Sequence, residues 1–371
     1  MSLDRVTGQE QAAAQAKAWL RTGHLPHAIL VCGPPGSGKR LFALELAKTL
    51  VCPQGQEVAC GQCPACRRVG RLLHPDVHVL VPLPPRRGRK EEDIGPEQVR
   101  EAAADYLSYG SEHFSSSANI ARELLRQLQR EIAYTPVEAA RKVALIYEAE
   151  CMQPAGANSL LKVLEEPPGD AVFILVTAAP DRLLPTIVSR CQRLALRGLS
   201  RQGLRDHLTA AGADAGRVEL AVRLGAGNLQ RATRAAAGEL DALRQQAEAF
   251  LQAGLAGQDE AYWALLDELG ARSERAQLEG FLEMCATYLR DVFLVQQGSA
   301  DHGVLVDRPE LVRDLAAALS PDRVEAAATQ VDRAYDGLFR NANSQLVLAD
   351  LWRTLRGSAG DAMAPARSVR R

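Results

Sequence analysis

Residues 33–40 read GPPGSGKR, a glycine-rich loop of the kind whose backbone N–H groups surround a polyphosphate. The apolar run Ala28 to Val31 predicts a buried strand before it, and Leu41 to Leu50 has helical spacing after it. Lys39 adds positive charge near the β- and γ-phosphates, but Arg40 stands where a hydroxyl residue normally holds Mg²⁺. The loop therefore predicts a nucleotide site with impaired hydrolytic chemistry.

A second departure affects the same ion. In phosphate-loop folds, a strand beside the loop strand ends in acidic residues that organise Mg²⁺ and activate the attacking water. The segment KVALIY, residues 142–147, predicts that strand. Tyr147 falls at the position of the metal-binding aspartate, and Glu148 falls at the position of the catalytic base. We therefore predict a degenerate Mg²⁺ site in which Glu148 is a vestigial base.

Four of the eight cysteines are clustered in the pattern C-x7-C-x2-C-x2-C. In a reducing compartment, four thiols this close suit a tetrahedral Zn²⁺ ion better than disulfides. The surrounding segment has little apolar material, so the ion would serve as its core. A redox cluster and four unrelated thiols are the alternatives. The predicted structural zinc ligands are Cys52, Cys60, Cys63 and Cys66, whereas Cys32, Cys151, Cys191 and Cys285 are predicted to be buried apolar residues.

The composition is that of a globular chain of several domains. It has 371 residues, 47% of them hydrophobic and 24% charged, with a net charge of −1. The sequence has neither an apolar run long enough to span a membrane nor a signal peptide, so we expect a soluble cytoplasmic protein with no membrane partner. The near-zero charge predicts that any contact with DNA comes from a local patch or from partner subunits.

Strands alternate with helices through the first half of the chain. Strands at 142–147 and 172–177 flank a helix at 154–165, which predicts a mostly parallel sheet covered on both faces. His74 and His78 precede and enter another strand, and we predict turn and surface roles for them. Residues from about 82 to 118 are rich in proline, charge and small polar side chains, and they predict a partly ordered surface insertion.

Beyond residue 197 the sequence predicts helices throughout. Two short helices, 200–211 and 213–224, end near glycines, and longer amphipathic helices follow from about 241 to 356. The final segment, 357–371, is predicted to be disordered. Apolar stripes that we expect to form the core of a helical bundle contain Trp263, Leu266 and Leu269, and later Leu346, Leu348, Leu351 and Leu355.

Together these segments resemble the bacterial AAA+ clamp-loader subunits of DNA polymerase III, most closely the delta-prime members. The resemblance covers nearly the whole chain. LLKVLEEPP and SRC within about thirty residues are its most specific pair. The other matching segments, in the family's order, are VTGQEQ, HAILVCGPPGSGKR, the four cysteines, HPDVHVL, KVALIYEAECM, ANSLLKVLEEPP, TIVSRCQ and RNANSQLVLADLW. The insertion at 82–118 departs from the family's shorter connection.

The resemblance implies an α/β RecA-like AAA+ domain over 1–197 with a zinc module at 52–66, a three-helix lid over 198–240 and a helical collar over 241–356. Arg190 matches the arginine finger that acts in trans on a neighbour's nucleotide, and Gln230 falls near the lid arginine of motor subunits, although Arg231 is adjacent. The nucleotide-binding positions implied by the match are Gly8, Gln9, Gly33, Pro34, Pro35, Gly36, Ser37, Gly38, Lys39, Arg40 and Thr177.

The implied partners are gamma/tau and delta subunits in a hetero-pentamer joined through the collar, the sliding clamp, and primed DNA contacted mainly in the assembled complex. In this role the chain is a stationary arm that binds ATP or ADP weakly, if at all. Two alternatives remain: a divergent gamma/tau-like motor that hydrolyses ATP, and an interaction subunit that binds no nucleotide. Arg40 and Tyr147 argue against the motor. The intact glycines and Lys39 argue against a site that has lost all affinity for nucleotide.

Overall fold

The computed structural model describes residues 3, 6–55, 57–84, 94–109, 118–257, 260, 263–264, 275–339 and 342–356. The chain divides into two compact units. The first comprises Met1–Asp206 with Ala226–Gln230, and the second comprises His207–Gly225 with Arg231–Arg371. The tail predicted at 357–371 lies outside the described residues. In the part of the chain that the structure describes, no helix has the length and apolar character needed to cross a membrane.

A parallel five-stranded sheet, in the order β2-β3-β4-β1-β5, organises the first unit. Its central strands are continuous apolar runs because helices cover both of their faces, and the predicted α/β RecA-like fold is confirmed. In register, Ala28 pairs with Phe173, and Ile29 pairs with Gln192 on the other side. The strands are β1 (Ala28–Cys32), β2 (Val77–Leu80), β3 (Val143–Ile146), β4 (Val172–Thr177) and β5 (Gln192–Ala195).

Two apolar cores lie on opposite faces of this sheet because successive strand side chains alternate. Ile29 and Val31 pack with the first core, which includes α1 and α2, whereas Leu30 packs with the second, which includes α5 and α6. The helices that begin in this unit are α1 (Glu10–Thr22), α2 (Lys39–Val51), α3 (Pro64–Gly70), α4 (Pro96–Tyr109), α5 (Arg122–Ala133), α6 (Pro154–Glu165), α7 (Pro185–Val188), α8 (Arg201–Ala210) and α10 (Leu229–Ala236).

The segment predicted as a surface insertion contains α4, and one face of this helix is core. Ala103 and Tyr106 are buried in the first core and Val99 in the second. These residues recur at intervals of four and three, so they share one side of the helix. The prediction of a surface segment is therefore wrong for that face. The neighbouring residues 85–93, which include the basic sequence RRGRK at 86–90, and residues 110–117 lie outside the described residues.

His74 also departs from its predicted surface role. Its side chain is buried, Nδ1 accepts a hydrogen bond of 3.1 Å from the backbone N–H of Asp76, and Nε2 lies 3.1 Å from Glu138 Oε1. Burial alone would raise the pKa of Asp76, but backbone N–H donors of Glu138, Val137 and Ala139 outweigh it and lower that pKa. This corner ties the start of β2 to the loop before β3. His78 is half-buried and pairs with Glu131 at 2.8 Å.

The second unit is helical. Phe250 packs edge-on against Phe281, with ring centroids 5.3 Å apart, and lies 5.5 Å from Trp352. Its helices are α9 (Ala215–Gly225), α11 (Asp241–Ala256), α12 (Arg275–Gln296), α13 (Pro309–Ala318), α14 (Pro321–Phe339) and α15 (Ser344–Arg356).

The predicted apolar stripes of this unit are confirmed only in part. Leu348, Leu351 and Leu355 are buried, but Leu346 is 69% exposed. Residue 346 precedes residue 348 by two positions, which is about 200° around a helix, so it faces away from that stripe. Trp263 is 60% exposed, contrary to its predicted core position. Leu266 and Leu269 lie outside the described residues.

Candidate functional site

The phosphate loop has the backbone that its glycines predict. Gly36 and Gly38 have φ values of +71° and +83°, a region that favours glycine. A Cβ atom at Gly38 would lie 2.6 Å from Val6 Cγ1, so the loop also needs the missing side chain for space. Lys39, at the first position of α2, donates from Nζ to the Pro34 carbonyl at 2.7 Å. The strand, loop and helix expected around residues 33–40 are therefore present.

Gln9 braces this loop against the end of β5. Its amide nitrogen donates to the Ser37 carbonyl at 3.1 Å and to the Arg197 carbonyl at 2.6 Å, and its oxygen accepts from the Arg197 N–H at 3.0 Å. Gln9 is buried, and Gly8 beside it has a φ of +76°. The structure thus brings Gln9 to the loop, where all three hydrogen bonds hold the backbone in place.

Arg40 follows Lys39 at the position where a hydroxyl residue normally holds Mg²⁺. Its Nη1 donates to the Tyr106 carbonyl at 2.8 Å and its Nη2 to Gln230 Oε1 at 3.0 Å. Tyr147 is fully buried, and its hydroxyl donates to the Arg40 carbonyl at 3.2 Å. A guanidinium has no acceptor atom and a phenol is a poor ligand for Mg²⁺, which prefers carboxylate and phosphate oxygens. These residues do not suit a magnesium ion.

Glu148 is the acidic group beside this cluster. Its Oε1 accepts from the Tyr106 hydroxyl at 2.6 Å, and its backbone has a φ of +47°, which is uncommon outside glycine. Burial raises the pKa of Glu148, against the opposing effects of the Tyr106 hydrogen bond and of Lys39. Burial also lowers the pKa of Lys39. The carboxylate that was predicted as a vestigial base is thus engaged by a tyrosine.

A cavity of about 410 Å³ remains beside the loop. It is bounded by Gly36 and Lys39 on the loop side, by Leu44 and Leu107 on an apolar side, and by Asn228. Thr177 ends β4 nearby, where it is fully buried and its Oγ1 accepts from the Ala179 N–H at 3.0 Å. The cavity therefore has both phosphate-loop and apolar walls.

Arg190 lies at the opposite end of the strands from the phosphate loop. It lies two residues before Gln192, the first residue of β5, so it is at the amino end of that strand, whereas the phosphate loop follows the carboxyl end of the parallel neighbour β1. Five residues of β1 separate the two edges by about 16 Å. The guanidinium donates to Glu165 Oε1 from Nε at 2.6 Å and to the Thr186 carbonyl at 2.9 Å. Arg190 therefore forms a partly exposed ion pair within its own chain.

The four clustered cysteines converge as a metal site requires. Their sulfur atoms all lie within 4.8 Å of one another, with 3.9 Å between Cys52 and Cys63 and 4.0 Å between Cys60 and Cys66. A tetrahedral Zn²⁺ with Zn–S bonds of about 2.3 Å places its sulfurs about 3.8 Å apart. The donor set and its spacing therefore fit the predicted structural zinc.

Local backbone geometry holds these sulfurs in place. Cys52 caps the end of α2, and Cys63 caps the start of α3, where its sulfur accepts from the Cys66 N–H at 3.4 Å. Backbone N–H groups of Gln62 and Cys63 lower the pKa of Cys60 to about 6, whereas burial raises the pKa of Cys63 and Cys66. A bound cation would supply the charge that the buried thiolates need.

The sequence analysis missed two residues that organise the first unit. Asp76 anchors the loop before β3, and its signal was the turn-forming sequence HPD. Tyr106 contacts both Arg40 and Glu148, and its signal was the helical spacing of Val99, Ala103 and Tyr106 within a segment that otherwise looked irregular.

Comparison with known proteins identifies the family. A model described as "DNA polymerase III, delta subunit" matches residues 8–200, and one described as "DNA polymerase III, delta subunit, C terminal" matches residues 242–355. The DNA polymerase III subunit delta' of Bacillus subtilis (strain 168) is 27% identical over 328 residues, covering 88% of this chain and 90% of that protein. The subunit delta' of Escherichia coli (strain K12) is 29% identical over 344 residues, covering 89% and 88%.

A gamma/tau subunit is similar over a shorter stretch. The DNA polymerase III subunit gamma/tau of Mycobacterium tuberculosis (strain H37Rv) is 31% identical over 234 residues, which is 61% of this chain and 35% of that protein. The two delta-prime subunits from Bacillus subtilis and Escherichia coli, by contrast, match along most of both chains. The chain belongs to the DNA polymerase III delta-subunit family, as a delta-prime-like subunit of the clamp loader.

Proposed function

We propose that this subunit is a stationary arm of the loader: it does not hydrolyse ATP itself, and it supplies Arg190 to the ATP bound by a neighbouring subunit. The loader uses that ATP to place the sliding clamp on primed DNA. The observation that carries the proposal is the separation of Arg190 and the phosphate loop by the height of the sheet. An arginine so far from its own loop would reach only a phosphate presented by another subunit.

The cation side of the chain's own site supports the same role. Phosphoryl transfer depends on a metal ion that bridges phosphate oxygens and neutralises developing charge. Arg40 and Tyr147 offer no carboxylate at the positions where that ion would be held, and Glu148 is engaged by Tyr106. No observation at this site favours the gamma/tau-like motor. The glycine backbone and Lys39 remain compatible with weak binding of ATP or ADP.

The wider organisation follows from this role. We propose an AAA+ domain over 1–197 with a structural zinc module at 52–66, a lid over 198–240 and a collar over 241–356. The collar joins the chain to gamma/tau and delta subunits in a hetero-pentamer, and primed DNA is contacted mainly in the assembled complex. The proposed site of action is the cytoplasm.

Two variants compared in the reconstituted loader test this proposal. Arg190→Ala removes transition-state charge at one neighbouring site, where a trans arginine is worth on the order of 10³-fold. Its loss should lower clamp- and DNA-stimulated ATP hydrolysis while leaving assembly intact. Lys39→Ala in the same chain should do little, because its own site does not turn over.

Arg193→Ala is the matched control, since Arg193 is an exposed arginine three residues away on β5. A loader reconstituted with Arg193→Ala should hydrolyse ATP at the wild-type rate. A severe Lys39→Ala defect together with a harmless Arg190→Ala change would reverse the assignment and make this chain a motor.

A further inference from the structure

Helix α4 lies in the segment that departs from the family's shorter connection, and it brings a large side chain to the phosphate loop. Tyr106 is 1% exposed. Its ring centroid lies 5.2 Å from that of Tyr147 and 5.2 Å from the Arg40 guanidinium carbon. The two tyrosine rings are inclined at 46° to each other, and Arg40 lies over the Tyr106 ring, an arrangement in which a cation is attracted to the aromatic face.

The polar atoms of Tyr106 are engaged in the same place. Its hydroxyl donates to Glu148 Oε1 at 2.6 Å, and its carbonyl accepts from Arg40 Nη1 at 2.8 Å. The residue therefore contacts both the side chain after Lys39 and the acidic residue after β3. In working phosphate-loop sites, the metal ion and the terminal phosphate lie between these two positions.

Charge explains why α4 docks there. The first turn of α2 contains Lys39 and Arg40 and no acidic residue, so two cations lie at the positive end of the helix dipole. Such an end favours an anion or other electron-rich partner. Tyr106 supplies a carbonyl oxygen and an aromatic face, and it binds the carboxylate of Glu148. A polyphosphate would compete with Tyr106 for the Arg40 guanidinium.

We propose that α4 is a plug: Tyr106 occupies the place of the metal ion and terminal phosphate, so that a magnesium–nucleoside triphosphate binds only when this helix undocks. The inference rests on the proposal that the chain's own site does not turn over, and it identifies the residue that obstructs the site. Arg40, Tyr147 and Glu148 hold the plug in place. The remaining cavity beside Leu107 is what α4 leaves open.

The test is binding of a fluorescent ATP analogue with Mg²⁺ to the full-length chain. Tyr106→Ala should bind at least about tenfold more tightly than wild type, and Tyr106→Phe, which keeps the ring and loses the Glu148 hydrogen bond, should gain less. Asp105→Ala is the control because it alters an exposed residue of the same helix. It should match the wild type. Equal affinity for all four proteins overturns the plug.

Two further measurements guard against a folding defect in Tyr106→Ala. Val99→Glu undocks α4 at another buried contact without touching the loop, and it should also tighten binding. In the wild type, saturating nucleotide should speed amide hydrogen exchange in residues 96–109. Saturation without that change contradicts the proposal.

The outcomes also separate the plug from the proposed function. Wild-type protein that binds the analogue as tightly as Tyr106→Ala but does not hydrolyse ATP refutes the plug and leaves the role of Arg190 standing. Hydrolysis by the isolated wild-type chain refutes both. A loader defect of Arg190→Ala, measured separately, bears on the finger alone.

Discussion

The two ends of α2 carry the two chemical motifs of this chain, and they differ in where their working atoms come from. At the carboxyl end, Cys52 caps the helix and the other three sulfurs follow within residues 60–66. At the amino end, Lys39 and Arg40 enter the helix, but their partners are Tyr106, Glu148 and Gln230.

This difference shows how much of a functional site a sequence motif can predict. A motif whose donors all lie within it predicts its own chemistry, because the backbone that positions them is local. A motif that depends on distant strands and helices predicts only its own half of the site. The glycine loop accordingly predicts a phosphate-binding backbone, but tertiary contacts decide what lies opposite it.

Removing one sulfur should have the largest effect at either end of the helix. Cys63→Ser leaves an open coordination position, so zinc should fall from one ion per chain to well below one, and residues 57–70 should exchange amide hydrogens faster. Elemental analysis and hydrogen exchange measure these changes. Cys151→Ser, outside the cluster, should retain the ion. Wild-type protein that is folded and free of metal would contradict the zinc assignment.

An ion pair in the second half of α2 should contribute to the stability of the fold independently of zinc. Lys48 Nζ lies 2.8 Å from Glu45 Oε1, and the Glu45 side chain is 1% exposed. Lys48→Met leaves that carboxylate unpaired, which should destabilise the fold by about 3 kcal/mol. The midpoint of urea unfolding should fall accordingly. The control Lys162→Met, at an exposed site on α6, should change it little. Equal urea midpoints for wild type and Lys48→Met would mean that the ion pair with Glu45 does not stabilise the fold.

Restoring the cation ligands tests the amino end. Arg40→Thr alone should bind nucleotide no more tightly in Mg²⁺ than in chelator, because Tyr147 still lacks a carboxylate. Arg40→Thr with Tyr147→Asp should bind nucleotide about tenfold more tightly in Mg²⁺ than in chelator, partly because the ring and guanidinium contacts that hold Tyr106 are lost. Calorimetric titration with ADP, with and without the ion, measures this. Magnesium-dependent binding by wild type would break the contrast between the two ends.

Titration of Glu148 should have the smallest effect. Because the folded-state pKa is raised above 4.5, its contribution to stability is full below that pH and is lost as pH rises through the folded pKa. The loss is about 1.4 kcal/mol for each pKa unit by which folding raises the pKa of Glu148. Glu148→Gln cannot ionise, so it should avoid this loss and should be more stable than wild type at pH 7. Urea unfolding across this pH range measures it. The exposed Glu166→Gln should follow wild type, and parallel curves for Glu148→Gln would contradict the assignment.

The sequence alone determined the elements whose signals are local. Apolar runs located β1, β3 and β4, the last at its predicted bounds, because a strand covered on both faces must be continuously hydrophobic. The polar sequence of β5, QRLA, has no such run, and that strand was not predicted. The glycines, Lys39 and the four cysteines likewise determined their loops, since backbone conformation and ligand type are properties of the residues themselves. The periodicity of α4 was present as well, but prolines and charges on either side obscured it.

Only the tertiary structure decided what these elements face. Parallel pairing of β1 and β5 puts Arg190 at the edge opposite the phosphate loop, and residues 25 positions apart form its ion pair with Glu165. Tyr106 meets Arg40 from 66 positions away. Such partners leave no spacing pattern in the chain, because their contact depends on how helices pack on a completed sheet. The sequence therefore determined a phosphate loop, and the fold decided that a tyrosine lies against it.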